Sequence, residues 1–277
     1  MNQCIICKNT HSVPLYEGIR KCADCHHAFA DQVLTDEELF KIYSRNYFFG
    51  EEYSDYFADK RVLQKNFLQR LQVLSRYLEA GIHDNLLEIG CAYGFFLDVA
   101  RGHFKTVRGI DINADGVAFA KEKLGLDTIR DDFLKHDFGS EIFDVVCLWD
   151  TIEHLRDPHL YLEKIAHHTK KGSLIALTTG DIESINAKLR KENWRLIHPP
   201  THLHYFSKKS IEKLLNQCGF EVVYNRHCGF YRSIDNIAYN IFVLRRKNKY
   251  LYQLFKKFAF DFYLNLFDIM YVIGRKK

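Results

Sequence analysis

The sequence predicts an α/β fold in which a doubly wound, mostly parallel sheet follows a small metal-binding ribbon. From residue 86 the chain repeats the order strand, turn and helix, which is typical of a parallel sheet covered by helices on both faces. Two C-x-x-C pairs precede that core, and their spacing allows four thiolates to close around one metal ion. Together these patterns predict two parts of very different size.

The bulk composition favours one α/β core with small additions. The chain has 277 residues, 47% of them hydrophobic, and a formal net charge of +4, which gives no overall field for nucleic acid. The first ten residues lack the pattern of a signal peptide, and no uncharged apolar stretch approaches the ~20 residues of a membrane span. We therefore expect a cytoplasmic protein, in which the eight cysteines do not form disulfides.

Residues 1–33 are predicted to form a zinc ribbon. A segment of this size buries too little apolar surface to fold without the metal, so the Zn²⁺ is expected to be structural. Unligated cysteines, a redox C-x-x-C, or replacement of the last ligand by His26 or His27 are the alternatives. The predicted ligands are Cys4, Cys7, Cys22 and Cys25.

Residues 34–82 are predicted to be a helical and aromatic segment that leads into the core. Thr35 and Glu38 form a capping box for a helix from about 36 to 45, and apolar spacing predicts a longer helix over 59–79. The aromatic residues between them could form a lid that excludes water, or simply pack into the core. These aromatic residues are Tyr43, Tyr47, Phe49, Tyr53 and Tyr56.

The core is predicted from alternating strand and helix patterns. The strands are expected at 86–90, 107–111, 127–130, 143–149, 173–178 and 220–223. The helices are expected at 96–101, 114–124, 158–169 and 208–218. Residues 229–266 are predicted to be a helical insertion before the last strand of the sheet.

The turn after the first core strand has the features of a nucleotide-type site. Small residues at Gly90, Ala92 and Gly94 would let a ligand approach the backbone, and Asp111 ends the next strand where an acidic side chain can bind ribose. Phe95 replaces the third glycine of the dinucleotide pattern, and Glu88 would favour a cationic ligand over a pyrophosphate. Both features favour S-adenosylmethionine (SAM) over NAD.

With these motifs the chain resembles class I SAM-dependent methyltransferases over residues 86 to 228. The resemblance rests on the sequence 88–94, on F-D-V-V at 143–146, on E-H-L-x-D-P at 153–158, and on H-L-H-x-F-S at 202–207, with Ala92 in place of a glycine. It implies a Rossmann-like sheet of seven mostly parallel strands, built from residues 83–228 and 267–277, with a last strand near 268–274.

The resemblance also implies roles for individual residues. Gly90 and its neighbours would lie against the methionine part of SAM, Asp111 would bind the ribose, Asp132 would accept from the adenine amino group, and Phe133 would flank the ring. Asp111 as a helix cap and Asp132 as a solvated carboxylate are the alternatives. The predicted SAM site comprises Glu88, Gly90, Cys91, Ala92, Gly94, Phe95, Asp111, Ile112, Asp132, Phe133 and Trp149.

Two histidines are predicted to be catalytic. His154 follows the fourth core strand and His204 lies in the loop after the fifth, so both belong to the sheet edge where the SAM methyl group would point. Histidine can remove a proton near neutral pH, which a weak acceptor requires. A purely structural role for His154 is the alternative.

The N-terminal ribbon, the segment after it and the core together are similar to bacterial methyltransferases that modify sugars of nucleotide-linked or surface-polysaccharide precursors. A sugar hydroxyl is the preferred acceptor and a sugar carbon the second choice. Basic and aromatic residues in 229–266 suit an anionic diphosphate or peripheral contact with a lipid surface. The alternatives are a zinc-ribbon RNA methyltransferase, although nucleic acid is not expected as a partner, and a non-catalytic SAM-fold module.

Overall fold

A computed structural model describes residues 3–32, 59–234 and 260–277, together with the single positions 35, 38, 238, 242, 243, 248, 250, 252 and 253. The N-terminal ribbon contains three antiparallel strands, β1 (Ser12–Tyr16), β2 (Ile19–Cys22) and β3 (Ala28–Ala30). Apart from Glu38, which exchanges hydrogen bonds with Thr35 as the predicted capping box requires, the helix predicted at 36–45 lies outside the described residues. The proposed aromatic lid (Tyr43, Tyr47, Phe49, Tyr53 and Tyr56) also lies outside them.

The first half of the core follows one long helix. Helix α1 (Lys60–Leu74) continues into a short 3-10 turn (Ser75–Tyr77), so the helix predicted over 59–79 ends earlier than expected. The elements that follow are β4 (Asn85–Ile89), α2 (Phe95–Ala100), β5 (Thr106–Asp111), α3 (Ala114–Leu124), β6 (Asp127–Arg130) and β7 (Phe143–Trp149).

The second half completes the sheet. Its elements are α4 (Pro158–His167), β8 (Thr169–Gly180), α5 (Ile185–Arg190), β9 (His204–Tyr205), α6 (Lys208–Gln217), β10 (Phe220–His227), β11 (Phe230–Ser233), β12 (Asp261–Leu264) and β13 (Ile269–Lys276). Short 3-10 turns at Ile152–His154 and Lys191–Asn193 lie in the loops after β7 and α5.

Seven strands form one sheet in the order β6-β5-β4-β7-β8-β13-β10. Strand β13 runs antiparallel to both of its neighbours, β8 and β10, whereas the pairs among β4 to β8 are parallel. This arrangement confirms the predicted Rossmann-like fold with a mostly parallel sheet. Because parallel strands all end at the same edge, the loops after β4, β5 and β7 meet there.

Both faces of the sheet are buried, as expected for strands covered by helices on each side. Successive residues of β7 alternate between two apolar clusters, with Val146 and Leu148 in one and Val145 and Cys147 in the other. The first cluster also contains four residues of the ribbon, namely Cys4, Ile5, Ile6 and Cys22. The ribbon therefore packs into the same core as the sheet.

The ribbon is also joined to the core by backbone pairing. Strand β9 from the core is the fourth strand of the ribbon sheet, with Ala28 opposite Tyr205 and Phe29 opposite His204. The amide of Gln217 at the end of α6 donates to the Ile6 carbonyl at 2.9 Å. Movement of the ribbon would therefore disturb the loop that precedes β9.

The ends of the segment 229–266 are strands, whereas the sequence predicted helix. Strands β11 and β12 pair with each other, and two residues of α1 hold them in place. Asn66 exchanges two hydrogen bonds with the Tyr231 backbone, and the Lys65 ammonium is 2.8 Å from the Asp261 carboxylate. Most residues between the two strands lie outside the described part of the chain. No helix within the described residues is long and apolar enough to cross a membrane.

Asp144 of the F-D-V-V motif fastens the start of β7 to the start of β4. Its buried carboxylate accepts from the backbone amides of Asp84 and Asn85, each at 3.0 Å, and lies 2.8 Å from the Lys170 ammonium. Burial alone would raise the pKa of Asp144, but Lys170 and the two amides outweigh it and hold the pKa below its ordinary value. The ionised form therefore stabilises the fold.

We expect Asp144→Ala to lower the free energy of unfolding by about 1–3 kcal/mol at pH 7, because three donors lose their acceptor. A carboxylate with a lowered pKa stabilises the fold above its unfolded-state pKa of about 3.9, and this stabilisation is lost as the pH falls through the folded-state value. The difference between wild type and variant should therefore shrink below about pH 4, as measured by urea unfolding at several pH values. As a control, Asp127→Ala removes a more exposed ion pair with Arg108 and should cost less than about 1 kcal/mol.

Candidate functional site

The candidate site lies where β4, β5 and β7 end. The loop after β4 has three residues with positive φ, Gly90 at 78°, Ala92 at 44° and Gly94 at 72°. A Cβ on Gly90 would lie 2.7 Å from the Thr151 hydroxyl, and one on Gly94 would lie 2.8 Å from a methyl group of Leu126. The protein itself therefore requires both glycines, whereas the sequence argument explained them by the approach of a ligand.

Asp111 holds this loop in place. One carboxylate oxygen accepts from the Ala92 amide at 2.8 Å and the other accepts from the Asn113 amide at 2.7 Å. Burial raises the pKa of Asp111, and these amides oppose that shift. Asn113, and not Asp111, caps helix α3 by accepting from Gly116. Each Asp111 oxygen retains a lone pair that could accept from a ribose hydroxyl.

Glu88 is a buried carboxylate in the middle of the site. Its Oε2 atom has no hydrogen-bond partner among the described residues. Burial, followed by repulsion from Asp111, raises the pKa of Glu88 well above its ordinary value, while Arg70 acts in the opposite direction. Such a group would gain from a cationic ligand, because the ligand would replace the hydration that burial removed.

Arg70 is a central residue of the site that the sequence analysis missed. It lies on α1, its guanidinium forms a 3.0 Å ion pair with Asp150, and it stacks over the rings of Trp149 and Phe230 at 5.5 and 4.7 Å. Its side chain is only 7% exposed. A charge on the apolar stripe of a helix, between Phe67 and Leu74, was the signal that could have revealed it.

The structure brings Glu88, Asp111 and Trp149 to one edge but uses other predicted SAM-binding residues for packing. Phe95 packs against Tyr93 and Phe119, and the Cys91 sulfur packs where a Cβ of Gly109 would lie. The Trp149 indole N–H has no acceptor within the part of the chain described here, which leaves a second buried polar atom for a ligand. Ile112 is partly buried between β5 and α3.

The predicted adenine-binding residues also have partners in the protein. The Phe133 ring stacks on Tyr161 with centroids 5.4 Å apart and is 3% exposed. Asp132 accepts from the Leu134 amide at 3.0 Å and from the Tyr161 hydroxyl at 3.2 Å. Asp132 is therefore part of a local turn, and its role toward adenine stays a prediction.

The loops after β7 and before β9 bring together a cluster of Glu153, His154 and His202. One potential ligand atom of each residue lies within 4.8 Å of the other two, and the two imidazole rings meet edge to face at 4.7 Å. Burial, with repulsion from Asp150, raises the pKa of Glu153 to about 8, and burial lowers the pKa of both histidines. The sequence predicted His154 here, whereas His202 takes the place expected for His204.

His204 does not belong to this cluster, and its role as a catalytic base stays a prediction. Its Nδ1 atom is 3.1 Å from His27 Nε2 and its Nε2 atom is 3.1 Å from the Arg156 carbonyl oxygen, so both ring nitrogens already have protein partners. Burial lowers the pKa of His204 to about 4, which keeps it neutral. His204 thus connects the ribbon to the E-H-L-x-D-P segment.

The four ribbon cysteines converge as predicted. Their sulfur atoms all lie within 4.8 Å of one another, with Cys4 and Cys25 at 3.4 Å and Cys7 and Cys22 at 3.4 Å. Two tight backbone turns aim the thiols at a common point. In one turn the Lys8 amide donates to the Cys4 carbonyl oxygen, and in the other a backbone amide donates to the Cys22 carbonyl oxygen. Four such sulfurs fit a soft cation in tetrahedral geometry.

Comparison with known proteins identifies a methyltransferase domain over residues 56–225 of the chain. A ubiquinone biosynthesis O-methyltransferase of Glaesserella parasuis is 26% identical over 104 residues, which cover 34% of this chain and 44% of that protein. The chain thus spans less than half of the length of this curated relative.

Solved structures show the same fold at low identity. A SAM-dependent methyltransferase of Thermotoga maritima has a TM-score of 0.51 and 18% identity, and the match covers 80% of this chain and 93% of that one. Phosphoethanolamine N-methyltransferase 2 of Haemonchus contortus, in complex with SAM, has a TM-score of 0.56 and 16% identity, covering 90% of this chain and 61% of that one. These likenesses concern the fold alone.

We expect His204→Ala to act on stability. It leaves His27 and the Arg156 carbonyl without a partner in a buried position, which should lower the free energy of unfolding by about 1–3 kcal/mol. The affinity for SAM should not change in the folded fraction, as measured by calorimetry beside urea unfolding. The exposed His198→Ala is the control, with an expected change within about 0.5 kcal/mol. Full stability of His204→Ala would show that this connection is unimportant.

Proposed function

Because the chain belongs to the methyltransferase-domain family, we propose that this SAM-dependent methyltransferase acts on a sugar hydroxyl of a nucleotide-linked sugar or surface-glycan precursor. The observation that carries the hydroxyl acceptor is the partly buried cluster of Glu153, His154 and His202, because a hydroxyl must lose its proton during methyl transfer, whereas a neutral amine can attack without a base. The curated relative is named for O-methyl transfer, which supports an oxygen acceptor. The choice of a sugar as the molecule that carries this hydroxyl rests on the motif resemblance.

SAM would bind where the orphaned polar atoms of the sheet edge lie. Glu88 Oε2 would accept from the cationic amino-acid end of SAM, and Asp111 would accept from the ribose hydroxyls. Arg70 would attract the carboxylate of SAM through the part of its positive charge that the ion pair with Asp150 does not neutralise. When bound, SAM supplies the electrophilic methyl group, and the chain supplies alignment, exclusion of water and removal of the acceptor proton.

The acceptor proton would be removed at the cluster, where His154 is the residue predicted from the sequence. His154 Nδ1 lies 2.9 Å from the Thr201 carbonyl oxygen, so Nδ1 carries the proton of the neutral ring and Nε2 carries a lone pair. A sugar carbon remains the second choice of acceptor. RNA is the alternative substrate class, for which the ribbon would serve as a nucleic-acid contact.

We propose that the four ribbon cysteines hold one structural Zn²⁺. Cys22→Ser should remove one equivalent of zinc, as measured by metal analysis, because three thiolates with a weaker oxygen ligand hold zinc less tightly. SAM affinity should survive, since Glu88 and Asp111 lie on β4 and β5, whereas the ribbon pairs with the core through β9. The matched control is Cys218→Ser, a cysteine outside the cluster, which should keep its zinc. Unchanged zinc in Cys22→Ser would contradict the site.

SAM binding should release a proton from Glu88. Burial raises the pKa of Glu88 and a cationic ligand favours its ionised form, so SAM affinity should rise with pH across the range in which Glu88 titrates in the free enzyme. Calorimetry in buffers of different ionisation enthalpy counts this proton. Glu88→Gln should release fewer protons and show a flatter pH dependence. Proton release identical to that of wild type would exclude Glu88 as the source.

Methyl transfer itself is tested with a panel of nucleotide-linked sugars and with RNA. On the true acceptor, His154→Ala should lower turnover by roughly 10²–10⁴ while leaving SAM affinity nearly unchanged, because only the proton transfer loses its catalyst. His198→Ala is the control and should retain turnover. Methylation of RNA and of no sugar would overturn the substrate class, and near-normal turnover of His154→Ala would overturn the role of the cluster.

A further inference from the structure

The Glu153, His154 and His202 cluster combines a carboxyl group with two imidazoles whose Nδ1 atoms face backbone carbonyl oxygens. His202 Nδ1 lies 3.0 Å from the Leu196 carbonyl oxygen, as His154 Nδ1 lies 2.9 Å from that of Thr201. A carbonyl oxygen can only accept, so each Nδ1 must donate, and in a neutral ring Nε2 then carries no proton. Once Glu153 is ionised, the three residues can offer a shared ligand three acceptor atoms and no donor.

Glu153 makes this shortage more costly. The residue is 5% exposed, and its Oε2 atom has no hydrogen-bond partner within residues 3–32, 59–234 and 260–277 or at the single described positions. A buried acceptor without a donor destabilises the fold, and a charged one does so more strongly. A group that binds here would therefore have to be positive or to donate hydrogen bonds.

The carbonyls behind the two histidines have a second consequence. Metal-bound histidines usually donate their other ring N–H to a carbonyl or carboxylate, which fixes the tautomer and the direction of the ring. Thr201 and Leu196 provide that arrangement before any metal binds. Two imidazoles and one carboxylate are also the ligand set of known catalytic sites for divalent cations, in which the remaining positions stay open.

The ligands come from two segments that are held together by the main chain. The Leu203 amide donates to the Glu153 carbonyl at 2.8 Å, which fixes the loop of His202 against the 3-10 turn of His154. Thr151, two residues before Glu153, packs on Gly90 of the predicted SAM loop. The cluster is therefore positioned beside the expected SAM site before any ligand binds.

We propose that Glu153, His154 and His202 bind a divalent first-row cation that also binds the acceptor hydroxyl. This inference rests on the proposed function. The hydroxyl would bind an open position of the cation and lose its proton to water and not to His154, whose Nε2 lone pair would hold the cation, since a metal ion makes a bound hydroxyl more acidic. The oxygen lone pair would then form the new bond to the methyl carbon while the carbon–sulfur bond breaks and its electron pair stays on sulfur.

The test is a titration with Co²⁺ of the full chain after its ribbon has been loaded with Zn²⁺. We expect one additional equivalent of Co²⁺ with weak visible d–d bands and without thiolate charge-transfer absorption, because the cluster contains no cysteine. Glu153→Gln and His202→Ala should each lower the Co²⁺ affinity by more than roughly 100-fold, since losing only the partner of a ligand already costs 10–100-fold. His198→Ala, in the same loop but outside the cluster, should bind Co²⁺ as wild type does.

Two results would overturn the cation site. One is the absence of a second Co²⁺ equivalent in wild type, and the other is Co²⁺ binding that persists in both Glu153→Gln and His202→Ala while SAM affinity confirms that they are folded. If Co²⁺ does not bind but His154→Ala still abolishes turnover, the cluster acts as a simple base and the proposed function stands. If Co²⁺ binds to the cluster but no sugar is methylated, the cation site stands and the proposed acceptor is wrong.

Discussion

The burial of several charges at the carboxyl edge of the sheet is the constraint on which the rest of this site depends. Glu88, Asp111 and Glu153 are withdrawn from water there, and burial raises the pKa of each. Arg70 is the cation that opposes this shift at Glu88 and Glu153, and it also pairs with Asp150. Since Arg70 comes from α1, the helix before the core is a necessary part of the site, and its packing is fixed by charge as well as by apolar contact.

The position of the turn that carries His154 also depends on the backbone of Leu203. Its amide donates to the Glu153 carbonyl, and its carbonyl accepts from the Ala30 amide of the ribbon at 2.9 Å. The same residue therefore joins the ribbon to the turn that carries His154. Together with the pair of His27 and His204, this connection joins the ribbon to the segment that carries His154 and His202.

The sequence was sufficient for the sheet, because alternation of strands and helices and the glycine turn depend on local periodicity. It was insufficient where a residue depends on a distant partner. His202 lies in a turn before β9, where its amide donates to the His198 carbonyl, whereas His204 lies in β9; the pairing of β9 with β3 accompanies the contact of His204 with His27, and His202 lies beside His154. Arg70 was missed for a related reason, since its partner Asp150 is eighty positions away.

The glycine loop shows how shape and binding are linked at one residue. Ala92 stands where the family has glycine and adopts a φ of 44°, a left-handed conformation that costs a residue with a Cβ about 1 kcal/mol. The hydrogen bond from the Ala92 amide to Asp111 offsets this cost in the absence of any ligand. Asp111 therefore sets the conformation of the loop first, so that a ribose hydroxyl would meet an acceptor and a loop that are already in position.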